Sequence, residues 1–557
     1  MNSWDEVYDF VVIGSGGGAS GALKAHAEGM RCLIVEKNPH FGGSTGLSGG
    51  VWWIPNNPLM KKRGYEDSYA RGRQYLDAVV GEEQPGSTDA RRRAYIENGP
   101  RLCEFLMRQG MEMEAVEFWP DYYADLPGGE SRSRSVVPKL FNLKELGSWL
   151  PKLATYPGFD MPLHSNDVSP ISTMMTTLAG KKAVGRMVKQ IIVDFFLGRK
   201  TRGQGAAMQG RMLKLLLDKK VDLWLNSPVV DLIEENGKVA GVLVRRDGKL
   251  VRVAASRGVL ISSGGFARNQ KLRDQYLPTP TDANLSSANQ GDTGEMLEAA
   301  IQLGADTHNT DAAIWVLTSR CPDGSPAPGQ IINGKDYPFL HVIDIGKPGL
   351  IMVNQKGQRF VNESASYMHV GEEMYRTASV PSWIITDHSN RKRYPWGGTT
   401  LGAPKKWLES GYLRRADTIE ELAVLCGIDP DGLQQTVTRF NRYCEEGKDL
   451  DFGRGANAYN HWNGDFSNKP NPSLGPLRKP PYYAITAFPG DVGTFGGLVC
   501  DENSRVLRKD GTPIEGLYAA GNCTASVMGK TYPGAGASIG ASYVFSYLAA
   551  AHASGKP

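Results

Sequence analysis

Gly14-Ser15-Gly16-Gly17-Gly18-Ala19 follows the apolar run Tyr8-Asp9-Phe10-Val11-Val12-Ile13, and Glu36 stands twenty residues after Gly16. That spacing suits recognition of a dinucleotide. Gly14 permits a sharp turn, Gly16 lets backbone approach a pyrophosphate, and Ala19 is small enough for close packing of a helix on a strand. The helix that begins here directs its N–H groups and positive dipole end at phosphate charge. Glu36, with Lys37 beside it, is placed to bind ribose hydroxyls. A second glycine and hydroxyl segment runs from Phe41 to Gly50, with Gly43, Ser44, Thr45, Ser48, Gly49 and Gly50 as candidate contacts. Its added N–H and hydroxyl groups suit a longer dinucleotide held permanently.

The elements that must position these groups are a buried parallel strand at 8–13, a small-residue helix at 20–28 and a second strand at 31–35. Farther along, Gly258-Val259-Leu260-Ile261-Ser262-Ser263-Gly264-Gly265-Phe266 resembles the internal strand-and-glycine motif of FAD-dependent oxidoreductases. Gly516-Leu517-Tyr518-Ala519-Ala520-Gly521-Asn522 resembles their second nucleotide-contacting motif. The resemblance implies FAD contacts at Val229, Ser263, Gly264, Gly521, Asn522, Ser538 and Ile539, besides the N-terminal residues including Gly17 and Gly18. The implied fold is α/β: a Rossmann-like FAD-binding domain built from both chain ends, with an inserted α+β catalytic domain capping it. Residues 1–310 form its first part, with 150–203 as a family-variable insertion; 311–480 form the catalytic domain, and 481–557 the second part. Smaller elements are expected too: a helix at 208–217, a hairpin over 229–244 turning at Asn236-Gly237, a strand at 351–354, a helix at 418–426 and a last helix at 541–551. Related covalent flavoenzymes carry a histidine in the second glycine loop. Positions 42–50 contain none, so FAD is expected to bind non-covalently.

Composition sets the frame. With 557 residues, 41% hydrophobic and 22% charged, the chain reads as soluble, globular and multi-domain, which excludes disordered, collagenous and membrane-spanning classes. Its 66 glycines, against a usual share of about 7%, point to many tight turns and close backbone approaches. A net charge of +4 gives no reason to expect nucleic acid. The seven cysteines form no C-x-x-C pair, so no metal site is expected. The opening residues 1–7 lack a basic region and an apolar core, which predicts no secretory leader and a cytoplasmic setting.

Phe118-Trp119-Pro120-Asp121-Tyr122-Tyr123, the stretch Arg359 to Tyr367, and Thr531-Tyr532-Pro533-Gly534-Ala535-Gly536 carry a narrower resemblance. Over most of its length the chain resembles the bacterial 3-ketosteroid Δ1-dehydrogenases. These use FAD to remove hydrogens from carbons 1 and 2 of a steroid A ring. The resemblance implies that Tyr532 and the Gly536 N–H bind the 3-keto oxygen. Tyr367 takes the proton from carbon 2, Tyr122 assists Tyr367, and an external acceptor such as a quinone reoxidises the flavin. The residue types agree, because a hydrogen beside a ketone becomes acidic only if developing charge on the oxygen is stabilised, and a phenol and a glycine N–H are suitable donors. A tyrosine of pKa about 10 needs a neighbouring donor to serve as a base near neutrality. Ala537-Ser538-Ile539-Gly540 departs from members that have proline and aliphatic residues there. Ser538 also resembles the serine of the Δ4-(5α)-dehydrogenases, which stand as the alternative. A fumarate-reductase-like enzyme is more distant, and a non-catalytic flavin or steroid carrier would need no proton acceptor.

Residues 150–203 have no counterpart in shorter members. Apolar residues at 183/184, 187/188, 191/192 and 195/196 predict one helical face, with Lys182, Arg186 and Lys189 largely opposite. Seven basic residues and one acid, Asp194, lie between 181 and 202. Such a helix is expected to lie in a membrane interface through 181–200, associating the enzyme with the inner face of the membrane. The alternative is a helix packed on the protein's own core with a solvated basic face.

Overall fold

The computed structural model describes residues 3–132, 134–156, 161–332, 335–397 and 400–555; part of the 150–203 segment, 157–160, lies outside them. Strand β1 (Glu6–Ile13), helix α1 (Gly18–Ala27) and strand β2 (Cys32–Val35) form the expected N-terminal unit, with Phe10 opposite Cys32 in parallel register. Phe10, Val11 and Val12 are wholly buried, which accounts for the unbroken apolar run. The second glycine segment folds as a short helix, α2 (Gly43–Leu47), where a loop was expected. Helix α3 (Asp89–Arg108) follows, then α4 (Leu178–Phe196) and α5 (Gln204–Asp218). Strands β3 (Asp222–Trp224), β4 (Val229–Glu235), β5 (Lys238–Arg246) and β6 (Lys249–Ile261) complete the first pass. Asn236 and Gly237 turn the β4–β5 hairpin at φ of 54° and 77°, the left-handed pair that this turn requires.

The chain then builds a second sheet from β7 (Ala313–Ser319), β8 (Phe339–His341), β9 (Leu350–Val353), β10 (Ser382–Asp387), β11 (Arg414–Ala416) and β12 (Tyr482–Thr494). Its order is β8-β7-β12-β10-β9, with β11 on β12. Helices α6 (Tyr367–Arg376) and α7 (Ile419–Cys426) lie within this region, α7 closed by a Thr418/Glu421 capping box. One boundary differs from expectation. Strand β12 pairs with β7, β10 and β11, so the inserted sheet runs to Thr494 and does not end at 480. The Pro- and Asn-rich loop before β12 marks a change of layer, which does not by itself reveal the sheet joined next.

The return to the first sheet is made by β13 (Arg505–Leu507), β14 (Pro513–Ala519) and the long helix α8 (Ala537–Ala553). The order is β13-β14-β6-β1-β2-β3, so strands from the two chain ends are separated only by β6. Helices α1 and α8 touch backbone to backbone. A Cβ on Gly17 would lie 1.8 Å from Ser542 Oγ, and one on Gly21 would lie 2.7 Å from the Ser546 carbonyl oxygen.

Residues 178–196 are helical, as their periodicity predicts, and Thr177 caps the first turn through Gly180 N. Only Gly180, Ala183 and Asp194 of α4 are buried. Phe195 and Phe196 are 81% and 78% exposed, and Leu178, Val188, Ile191, Ile192 and Leu197 are exposed with them. No helix among the described residues is long and apolar enough to cross a membrane.

Candidate active site

A cavity of about 350 Å³ runs from Glu36 and Lys37 at one end to Tyr122, Tyr367 and Tyr532 at the other. Gly14, Ser15, Gly16, Gly17, Gly43, Ser44, Thr45, Ser48 and Gly49 line it, together with Val229, Ser263, Gly264, Gly521, Asn522, Gly536, Ser538 and Ile539. Three expected contacts stand behind the wall. A Cβ on Gly18 would lie 2.5 Å from Val12 Cγ1, Ala19 is wholly buried, and a Cβ on Gly50 would lie 2.3 Å from the Gln204 carbonyl carbon. These three serve helix and loop packing.

The polar end fits a dinucleotide. Gly14 turns at φ +98°, and its missing Cβ avoids the Ser262 carbonyl oxygen at 2.4 Å. The first turns of α1 and α2 bring backbone N–H groups without intrahelical partners to the cavity wall. Glu36 accepts from Ser15 N at 3.1 Å and Ser15 Oγ at 2.7 Å, and from Asn38 N at 2.9 Å and Nδ2 at 3.1 Å. Ser15 Oγ accepts in turn from Gly42 N at 2.8 Å. The carboxylate therefore locks the two glycine segments together, and a ribose hydroxyl binding there shares it with Ser15. Lys37 is engaged with Thr293 and Glu295. Asp292 was not visible as a site residue in the sequence. It accepts from Ser44 Oγ at 2.8 Å, and burial pushes its carboxyl up to about 7.

Three separate anchors deliver the tyrosines. Asp121 accepts from Trp53 Nε1 and Arg134 Nη1, each at 2.7 Å, and Tyr122 N donates to Pro533 O at 2.9 Å, so the 118–123 loop is tied to the 531–536 turn. The stretch before Tyr367 is pinned by a buried ionic network. Arg359 Nη2 reaches Glu363 at 2.8 Å and Asp449 at 2.9 Å, and Arg454 Nη1 reaches Glu363 at 3.1 Å. Tyr367 then opens α6, and Tyr532 lies in the turn that leads into α8.

The rings converge, with centroids 5.5 Å apart for Tyr122 and Tyr367, 5.7 Å for Tyr367 and Tyr532, and 5.9 Å for Tyr122 and Tyr532. Side-chain hydrogen bonds link Tyr122 to Tyr367 and Tyr367 to Tyr532. Burial pushes Tyr122 and Tyr367 well above the ordinary phenol range. Burial also raises Tyr532, opposed by donors from Ser538 and Gly536. Ser538 Oγ lies 3.0 Å from Tyr532 Oη, so its hydroxyl serves a tyrosine as well as lining the cavity.

The surroundings of Gly536 leave room for no side chain. It sits at φ +85°, and a Cβ would lie 1.9 Å from the Val51 carbonyl oxygen. Tyr459 and Trp462 escaped the sequence reading: the Tyr459 ring meets Tyr122 tilted, with centroids 4.4 Å apart, and Trp462 stacks on the cavity-lining Trp119 at 4.7 Å. They approach from distant segments, and no local motif marks them.

A glycine-cradled, acid-ended cavity closed by phenols at its apolar end defines a flavoprotein, and the chain belongs to the FAD-binding-domain family, which matches residues 9–539. Within that class it is a member of the 3-oxosteroid 1-dehydrogenase family of FAD-dependent oxidoreductases. The 3-oxosteroid 1-dehydrogenase of Mycobacterium tuberculosis is 38% identical over 98% of this chain and 98% of its own. The 4-oxocyclohex-2-ene-1-carboxylate 5-dehydrogenase of Sinomonas cyclohexanicum is 34% identical over 97% of this chain and 92% of its own. The crystal structure of 3-ketosteroid Δ1-dehydrogenase from Sterolibacterium denitrificans with 1,4-androstadiene-3,17-dione superposes with a TM-score of 0.92. Its identity is 35%, covering 99% of this chain and 100% of that one.

Proposed function

We propose that the protein introduces the 1,2 double bond into 3-ketosteroids, converting 4-ene-3-ones to 1,4-diene-3-ones. Convergence of three phenols at the apolar end of the cavity is the observation that carries this reading. When bound, FAD supplies the acceptor for the hydride from carbon 1. Tyr532 Oη and the Gly536 N–H bind the ketone oxygen and stabilise its developing charge, which acidifies the hydrogens on carbon 2. Tyr367 removes that proton, and Tyr122, hydrogen-bonded to it, stabilises the phenolate form. Trp119, Ile314, Val316 and Leu340 offer an apolar wall to fused rings.

Among the described lining residues Lys37 is the only lysine or arginine, and it lies at the Glu36 end, paired with Glu295. A carboxylated cyclohexenone or a dicarboxylate would find no cation beside the tyrosines. Retention of all three tyrosines favours the 1,2 bond over the 4,5 bond. Anaerobic bleaching of the flavin by a 4-ene-3-one steroid, with product analysis, tests the reading. A parent protein loaded with FAD that does not bleach would refute it.

The physiological partners extend this reading to an external electron acceptor of the quinone class and to a lipid surface under α4. Support for the lipid surface comes from the solvent-facing Phe195, Phe196, Ile191 and Ile192 beside a basic stretch. The segment leading into α4 is tied to the cavity wall at Gly49, to whose carbonyl Ser165 Oγ donates at 3.1 Å, and to Trp462, to whose carbonyl Ser169 Oγ donates at 3.3 Å. Steroids partition into bilayers, so a foot here would bring the mouth of the site to its substrate. Co-sedimentation with anionic liposomes should be lost on Phe195→Ser/Phe196→Ser; unchanged binding, or none by the parent, excludes the foot.

A further inference from the structure

Arg91, on α3, is 1% exposed. Its Nη1 donates to the Cys500 carbonyl oxygen at 2.7 Å, and its guanidinium lies 4.4 Å over the Phe545 ring of α8. Its Nε has no hydrogen-bond partner. The buried Arg134, Arg273 and Arg454 each hold a carboxylate. Arg91 stands with none at ion-pairing distance among the described residues. A buried cation without an ion pair is costly, and the Cys500 carbonyl with the more distant Asp501 and Glu502 offsets part of that cost.

Arg91 lines a small space of about 10 Å³ together with Gly521, Asn522 and Ser538. The same three residues line the main cavity. They form one wall with Arg91 on one side and the cofactor site on the other. Ser538 hydrogen-bonds Tyr532, while Gly521 and Gly17 both border Ser542, so this wall runs from the glycine turn to the tyrosine end of the cavity.

We propose that Arg91 supplies a fixed positive charge, one residue layer behind the flavin, that favours reduction of the cofactor. The inference rests on the FAD-dependent dehydrogenation proposed above. In that reaction carbon 1 gives up a hydride and carbon 2 gives up a proton to Tyr367. The cofactor side thus gains two electrons and one proton, a net of one negative charge. Across a few ångströms of buried protein this charge and a guanidinium attract each other with little screening. Burial lowers the guanidinium's affinity for its proton, a penalty that an added negative charge relieves. The N–H groups opening α8 act in the same direction, and Arg91 adds a full charge to their dipoles.

The test compares FAD-loaded parent, Arg91→Met and Arg91→Lys proteins by two readings. One is the two-electron midpoint potential from dye-coupled titration. The other is affinity for inorganic sulfite, whose addition to the flavin also adds negative charge. Arg91→Met should shift the reduction equilibrium at least tenfold toward the oxidised form, about 30 mV lower for a two-electron couple. It should weaken sulfite binding by a similar factor, and Arg91→Lys should keep most of both. An unmoved potential and sulfite affinity in FAD-loaded Arg91→Met would overturn the proposal. Should that variant not fold, Arg91→Gln, which keeps a donor toward the Cys500 carbonyl, replaces it, and equal potentials in the glutamine and lysine variants overturn it equally. Failure of the dehydrogenase reading is distinct, because the parent would then not bleach with steroid whatever its potential.

Discussion

Replacing Tyr532 by phenylalanine removes one hydroxyl and leaves the ring in place, its centroid 5.9 Å from those of both Tyr122 and Phe495. Two donors are assigned to the ketone oxygen, the Tyr532 hydroxyl and the Gly536 N–H. Loss of one such donor costs about 2.7–4 kcal/mol in the transition state, or roughly 100- to 1000-fold in rate. The stability cost should be small. Ser538 Oγ loses its 3.0 Å partner but lines the cavity, where water can replace it, so about 1 kcal/mol or less is expected. Anaerobic stopped-flow reduction of the bound flavin by a saturating 4-ene-3-one steroid measures the chemical step directly. A rate reduced by that factor is expected, with steroid affinity changed much less and the thermal midpoint little moved. Reduction within about fivefold of the parent rate, below the range such a donor contributes, would remove Tyr532 from the proposed oxyanion site.

Two further outcomes follow from buried ionisations. Because burial raises Tyr367 above its ordinary value, the flavin-reduction rate should keep climbing through the neutral range. Tyr122→Phe should lower the rate and move the alkaline limb to higher pH, since Tyr122 donates to Tyr367; a profile flat from pH 6 to 9 would contradict the assignment of Tyr367 as base. Asp292 goes from an ordinary 3.8 to about 7 in the folded protein, so its stabilising contribution is complete below about 4 and is lost as pH rises through about 7. That shift is worth on the order of 4 kcal/mol. Asp292→Asn should therefore gain stability relative to the parent between pH 4 and 8 in denaturant titrations, and parallel pH curves for the two proteins would show that the carboxyl is not held neutral.

Local sequence carried the N-terminal unit because each role there is filled within thirty residues: a strand ending in the apolar run Phe10–Ile13, a left-handed Gly14 and an acid at the next strand's end. Of the adjacent pair Tyr122 and Tyr123, the ring that meets both Tyr367 and Tyr532 is that of Tyr122. What escaped depends on distance in the chain. Trp119 meets Trp462 and Tyr122 meets Tyr459 only after the second sheet has formed. Strand β12 is as apolar as a strand of either sheet, so its partners are set by register and not by composition. The apolar positions of α4 were legible, but periodicity alone could not say whether solvent or protein faces them.

The cavity wall joins Gly14 to Gly536, and α1 rests on α8 with no room for a Cβ at Gly17. The glycine turn and its closing partner are therefore separated by most of the chain. Strand β6 pairs with the first strand, but without α8 the nucleotide site has no floor. A complete cofactor site consequently depends on the longest-range contacts the chain makes. Loss of only the final helix should cost the protein its flavin as surely as damage to the first turn.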